Sequence, residues 1–265
     1  MAIVRTRLLL PTLALSLTAG SAMAQTRPFV FTITTLPESS ERRWNVHYEA
    51  GYGERTAEPF GFDGVAQRVG IQGTLGGGFT LLGHAGLGLG SGAHSSTSTS
   101  QEIELLKDLR PASRGVGIAM GLGVRREWEG ATVLLGRVSA GQAFAGSSLF
   151  GNLLFERPLE QGRDGIDLIT TLGWLRRVGP VLQVGVEAVG EDLEGLWEKE
   201  EAEGGAKVFV GPSLHVAPPH SSWSASLSGG PIFYATRTGR SSPAARPLEA
   251  TGNGYTVRLM VGYSF

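Results

Sequence analysis

Taken at alternate positions, the ionisable residues Arg43, His47, Glu49, Arg68, His84, Arg137, Asp167, Glu187, Lys207, His215 and Arg258 share the non-apolar face of a series of short runs. Positive, negative and imidazole side chains interleave on that face. Two kinds of chemistry suit such a mixture. In a tube, these groups form a lining that selects solutes by charge. Alternatively, they pair across neighbouring strands and stiffen a filled interior. The residue types alone leave both readings open.

Catalytic and metal-binding patterns are scarce by comparison. A serine nucleophile needs a base and an orienting acid converging on it, yet the sequence contains no G-x-S-x-G. The five histidines, His47, His84, His94, His215 and His220, form no repeated short motif. Ser213 and His215 share a face, an arrangement more often a satisfied polar pair than a catalytic one. Neither H-E-x-x-H nor a calcium-loop pattern occurs. The acidic stretch of Glu187, Glu191, Asp192 and Glu194, continued by Glu198, Glu200, Glu201 and Glu203, reads as a solvated strand end and loop. Gly86 to Gly92 lacks the Lys-Ser/Thr of a phosphate loop, and its glycines follow strand parity. No catalytic residue, metal site or cofactor is assigned, and the chain is not read as an enzyme.

The elements that position the charged face are strands. Tyr255, Val257, Leu259, Val261, Tyr263 and Phe265 alternate with Thr256, Arg258, Met260, Gly262 and Ser264, the period-two signature of a strand with one apolar face. Trp44 to Tyr52, Val65 to Leu75, Phe79 to Leu89, Ile118 to Val124, Leu149 to Phe155, Ile166 to Trp174, Leu182 to Ala188, Ala206 to Leu214 and Trp223 to Phe233 repeat the pattern. Each run has the length of a tilted membrane strand. Short links alternate with mostly longer polar ones, the brief Trp128-Glu129-Gly130 excepted, as the short periplasmic turns and long outer loops of an outer-membrane barrel do. The reading is all-β: a closed antiparallel transmembrane barrel of about twelve strands. One ambiguity lies between residues 28–35 and 101–109, either of which supplies a strand; Ile103, Leu105 and Leu109 are the preferred set. Tyr52, Trp174, Trp223, Tyr255 and Tyr263 sit near strand ends, where aromatic girdles meet lipid headgroups.

Composition agrees. Forty of 265 residues are glycine, against a usual ~7%, and charged residues make up 18% with a net charge of -1. These values exclude a basic nucleic-acid binder and a disordered tail. The absence of cysteine excludes disulfides, thiolate metal sites and a lipoprotein anchor. Residues 1–24, with Arg5 and Arg7, an apolar run and Ala22-Met23-Ala24, read as a cleaved signal peptide. Residues 25–42 are expected to form a periplasmic N-terminal segment, and 43–265 the barrel.

Two segments carry a family resemblance. Val184 to Leu193 is an alternating strand ending in acidic residues, and Val210-Gly-Pro-Ser-Leu214 follows the acidic loop. Together they resemble outer-membrane transporters of the phenol-degradation meta pathway, which implies a channel for small organic molecules. The ending at Tyr263 and Phe265 resembles outer-membrane barrels generally and implies a C-terminal signal for the barrel-assembly machinery. Localisation in the outer membrane of a Gram-negative bacterium follows. The expected partners are outer-membrane lipid, periplasmic chaperones, the assembly machinery and a small-molecule solute, with no nucleic acid. The function expected is passage of small solutes through a mixed-charge, porin-like lumen, the loops 91–100, 191–204 and 235–252 capping the outer mouth. The rival is a plugged structural or surface-binding barrel. A third reading, a lipid-modifying enzyme, requires a Ser–His contact at the membrane rim.

Overall fold

The computed structural model describes residues 27–34, 44–90, 97–112, 115–159, 166–196, 205–236 and 252–265. Alternation converts directly into strands because a residue's neighbours on the chain point to the opposite face. The strands are β1 (Trp44–Glu54), β2 (Gly64–Gly76), β3 (Phe79–Gly90), β4 (Thr97–Arg110), β5 (Gly117–Arg126) and β6 (Thr132–Phe144), then β7 (Ser147–Pro158), β8 (Asp167–Arg177), β9 (Leu182–Glu191), β10 (Lys207–Val216), β11 (Trp223–Tyr234) and β12 (Gly254–Ser264). Each pairs antiparallel with its sequence neighbours, and β1 pairs with β12 to close a twelve-strand barrel. The closing register runs from Asn45↔Ser264 to Glu54↔Tyr255. Trp44 and Phe265 exchange both backbone bonds at the seam, at 3.0 and 2.9 Å.

Closure satisfies the backbone without water, the condition for crossing hydrocarbon with strands. The outer face is apolar: in β12, Tyr255, Val257 and Leu259 are 43–46% exposed, whereas Thr256, Arg258 and Met260 are buried inward. Aromatic contacts mark both rims. Tyr52 lies 6.0 Å from Tyr255 at the long-loop end, and Trp223 lies 4.9 Å from Tyr263 at the short-turn end. Trp174, also outward, sits near the short-turn end of β8. This is a membrane barrel of the bacterial outer-membrane type.

Residues 101–109 belong to β4, while 27–34 have no place in the sheet and bend at 30–32. Residues 97–100, expected within a loop, also belong to β4, because Thr97 to Ser100 pair with β3. Residue 191 ends β9, Leu193–Leu196 form one 3-10 turn, and 235–236 follow β11. The rest of the expected capping loops, 91–96, 197–204 and 237–251, lies outside the described residues, as do 1–24 and Arg43.

The largest departure concerns the N-terminal segment. It was expected in the periplasm, but residues 27–34 lie inside the barrel, all of them buried. Phe31 and Val30 pack with the inward residues Val133, Leu135, Leu154, Ile169, Val189, Phe209 and Ile232. Ile33 joins Leu82 and Leu106 toward the short-turn end. Burial of apolar side chains among these inward groups outweighs hydration of the segment, since each large one contributes about 1.5–3 kcal/mol.

Candidate functional site

Ten of the eleven sequence-derived lining residues fall in described strands. His47, Glu49, Arg137, Glu187, His215 and Arg258 are buried on the inner face. Arg68, His84 and Lys207 are nearly so, and Asp167 is half-buried at the start of β8. They form several clusters rather than one continuous lining, and groups not singled out from the sequence complete them.

The first cluster seats the N-terminal segment. Glu187, with no exposure, accepts hydrogen bonds from three successive backbone N–H groups: Val30 (3.3 Å), Phe31 (3.0 Å) and Thr32 (3.2 Å). The Ser213 hydroxyl donates to the same carboxylate at 2.8 Å. Consecutive amides converging on one anion make a nest. Asn152 then pairs with Ile33 as a second strand would. Its Oδ1 accepts from Ile33 N–H and its Nδ2 donates to Ile33 C=O, both at 2.8 Å. Gln72 donates to Thr34 C=O at 3.1 Å, and the Ser226 hydroxyl donates to Arg27 C=O at 3.3 Å. Wall side chains therefore supply the partners that a buried backbone requires. Room for the segment comes partly from Gly173, where a Cβ would stand 2.6 Å from the Phe29 ring. Phe31 lies 4.8 Å from the Phe209 ring and also beneath the Arg258 guanidinium, at 4.8 Å.

The second cluster crosses β1 to β4. Arg27 reaches Glu49 at 3.2 Å, and Glu49 is 3.3 Å from His47 Nε2. His47 Nε2 faces His84 Nε2 at 3.1 Å, and His84 Nδ1 meets Glu102 at 3.3 Å. In the third cluster, Arg125 is bonded to Glu156 and lies 3.1 Å from Glu127 and 3.9 Å from Glu102. Arg137 forms a fork on Glu104, with bonds of 2.8 and 2.6 Å. Bidentate geometry of this kind belongs to arginine's planar donor set.

Three further contacts close the long-loop end. Residues 56–61 fold inward, Phe60 buried with the central apolar group and Glu58 bonded to Arg68. Arg68 also lies over Trp128, 4.9 Å from its ring. Lys207 pairs with Glu191 at 2.7 Å. Between these groups remains a cavity of about 80 Å³, bordered by Arg27, Glu49, Arg68, His84, Glu102 and Arg258 among others. The Ser–His contact among the described residues that most resembles a catalytic pair, His215 Nδ1 to Ser226 at 2.8 Å, lies in the buried lumen and not at the rim.

Sequence parity carried a signal for several residues it did not single out. Glu102 and Glu104 flank outward Ile103 and Leu105, Arg125 follows outward Val124, and Glu156 follows outward Phe155. Arg27 and Glu58 carried none, because both stand on non-strand segments whose inward path depends on the closed barrel.

The architecture matches solved porins. A KdgM porin, solved in complex with disordered oligogalacturonate, aligns with a TM-score of 0.55 over 83% of this chain and 99% of its own, at 12% identity. A NanC porin aligns with a TM-score of 0.57 over 82% of this chain and 98% of its own, at 7% identity. At such identities the likeness establishes the fold. No protein-family model matches the chain, and no significant match emerges among curated proteins.

Proposed function

We propose that the protein is an outer-membrane channel for small polar solutes that rests closed, with residues 27–34 as the closing element. The observation that carries this reading is how that segment is held. None of residues 27–34 joins the sheet ladder. Its backbone is held by Glu187, Asn152, Gln72 and Ser226, all of which water can satisfy once the segment leaves. Beside the apolar group that packs Val30 and Phe31, the wall carries many hydroxyl, amide and charged groups, including Ser213, Ser228, Thr171 and Arg258. A water-filled passage needs such a wall, whereas a permanently packed interior is better served by apolar side chains. Twelve strands enclose more than the side-chain-filled interior of an eight-strand barrel and less than the wide lumen of a sixteen-strand porin.

In this reading Arg68, Glu187 and Arg258 act as the electrostatic filter when the lumen opens, and Arg68 with Glu58 latches the outer mouth. The likeness of Val184 to Leu214 to meta-pathway transporters adds small organic molecules as the solute class. Tyr263 and Phe265 serve as the signal read by the assembly machinery after periplasmic chaperones deliver the chain.

A permanently filled, structural or surface-binding barrel is the second reading. Arg125 among Glu102, Glu127 and Glu156 favours it, because those wall-to-wall pairs persist whatever the segment does. Single-channel recording of the refolded chain in a planar bilayer separates the two. The channel reading expects a low baseline with discrete openings, made frequent by Glu187→Ala. Silence from both the full chain and Glu187→Ala, each verified as folded, leaves only the filled barrel.

A further inference from the structure

The second cluster has a geometry that ion pairing alone does not explain. His47 on β1, Gly70 on β2, His84 on β3 and Glu102 on β4 stand in one lateral row, each opposite the next in register. The two histidines are separated by a strand, yet their Nε2 atoms are 3.1 Å apart. They meet because Gly70 has no side chain: a Cβ there would lie 2.1 Å from His47 Nε2 and 2.5 Å from His84 Cδ2. Both imidazoles lean over this glycine and bring their Nε2 atoms together. Glu49, two residues along β1 from His47, brings Oε1 to 3.3 Å from His47 Nε2.

From these positions we infer that His47, His84 and Glu49 form a binding site for a divalent transition metal, with zinc the ion that suits it best. Their three ligand atoms lie within 4.8 Å of one another. Zinc holds nitrogen and oxygen ligands at ~2.0–2.1 Å in a tetrahedron, whose edges are therefore about 3.3 Å. The 3.1 and 3.3 Å separations match that edge, while the third pair, His84 and Glu49, lies within 4.8 Å and closes by a side-chain adjustment when the ion binds. Two imidazoles and one carboxylate suit zinc, whereas calcium and magnesium require oxygen donors throughout.

The surroundings complete the arrangement. Glu102 accepts from His84 Nδ1, which leaves the Nε2 lone pair free for a metal and fixes the ring orientation; this is the carboxylate–histidine–metal relay of known zinc sites. His47 Nδ1 is buried without a partner, so that ring is anchored through Nε2 alone. The cavity of about 80 Å³ touches Glu49, His84 and Glu102 and provides the space for a water or solute as fourth ligand. Glu49 is shared: the same oxygen that faces the metal position accepts from Arg27 at 3.2 Å. A dication there repels the guanidinium, so metal binding loosens the hold on the N-terminal segment. The site itself stands whether or not the barrel conducts.

The test uses the full mature chain, refolded in detergent, purified without a histidine tag and stripped with a chelator. Zinc is titrated calorimetrically, and cobalt is used as the optical probe. One zinc per chain and a tetrahedral cobalt visible spectrum are expected. Glu102→Gln should weaken binding by about 10–100-fold, and His47→Gln or His84→Gln by more than that. Gly70→Ala should abolish the cobalt spectrum, and His220→Gln, exposed in the turn between β10 and β11, should change nothing. Folding of each variant is checked by heat-modifiable gel mobility. If one does not fold, the wild-type cobalt spectrum and Glu102→Gln decide. Failure of the folded wild type to bind zinc at micromolar concentration, or wild-type affinity in His47→Gln and His84→Gln, overturns the assignment. Conductance plays no part in these readouts, so the site can fail while the channel stands, and the reverse.

Discussion

Replacing Glu187 by alanine is the most direct perturbation of the seated segment. The carboxylate accepts from Val30, Phe31 and Thr32 N–H at 3.0–3.3 Å and from the Ser213 hydroxyl at 2.8 Å. A hydrogen bond to a charged group contributes a net ~1.5–3 kcal/mol after exchange with water is counted. The three amide bonds are long and share two oxygens, so the lower end applies and the sum is not additive. Together they hold the segment by about 3–4 kcal/mol. At ~1.4 kcal/mol per factor of ten, Glu187→Ala raises the displaced population several-hundred-fold. The chain has no cysteine, so Thr32→Cys introduces a unique reporter at a fully buried position whose hydroxyl has no partner. When opening is fast relative to reaction, the rate of labelling by a small thiol reagent tracks the displaced population. The Glu187→Ala background should therefore label faster by a comparable factor. Glu187→Gln should fall between Glu187 and alanine, because its one amide oxygen still accepts from Phe31 and Thr32 N–H while its NH2 faces the Val30 N–H. Equal labelling rates in the Glu187 and Glu187→Ala backgrounds would refute the claim that this nest holds the segment.

Four other outcomes follow from the same contacts. Phe31→Ala removes the contacts to Phe209 and Arg258 and should destabilise the seated segment by roughly 3–4 kcal/mol, read as a rise in channel open probability. Arg125→Met removes the charged partner of buried Glu156 and should cost about 3–5 kcal/mol, measured by urea unfolding of the barrel in lipid vesicles; an unchanged midpoint would contradict the pairing. Arg27→Ala should tighten zinc binding, since it withdraws a cation 3.2 Å from a ligand oxygen; weaker binding would contradict the proposed coupling. Leu259→Arg, on the lipid face of β12, should destabilise the barrel by about 2–4 kcal/mol if it lies near the bilayer midplane, and a neutral result in vesicles would misplace that face.

Much of the site was legible, but unevenly. Parity placed His47, Glu49, Glu187 and Arg258 inward because it is a local property: Val46 and Tyr48 face out, so His47 between them faces in. The same logic reached Glu102, Glu104, Arg125 and Glu156, although the sequence reading did not follow it that far. Which of these meet was not legible. Arg137 finds Glu104 two strands away, and Arg125 finds Glu156 two strands away. Such partners depend on register and on how far each side chain reaches along a curved wall.

The sequence by itself determined the class, the twelve strands, the two faces and the alternation of short and long links. These rest on period two and turn composition, which neighbouring residues impose on one another without reference to distant chain. Tertiary structure alone decided where residues 27–34 go. Phe29, Phe31 and Ile33 alternate as a membrane strand's outward face would, but the barrel closes between β1 and β12 and leaves no edge for them to join. Their apolar side chains and unpaired amides then find partners only inside, on Phe209, Glu187 and Asn152. Closure likewise decided that His47 and His84 converge over Gly70, for three strands must come into register before a missing side chain on the middle one can bring the outer two together.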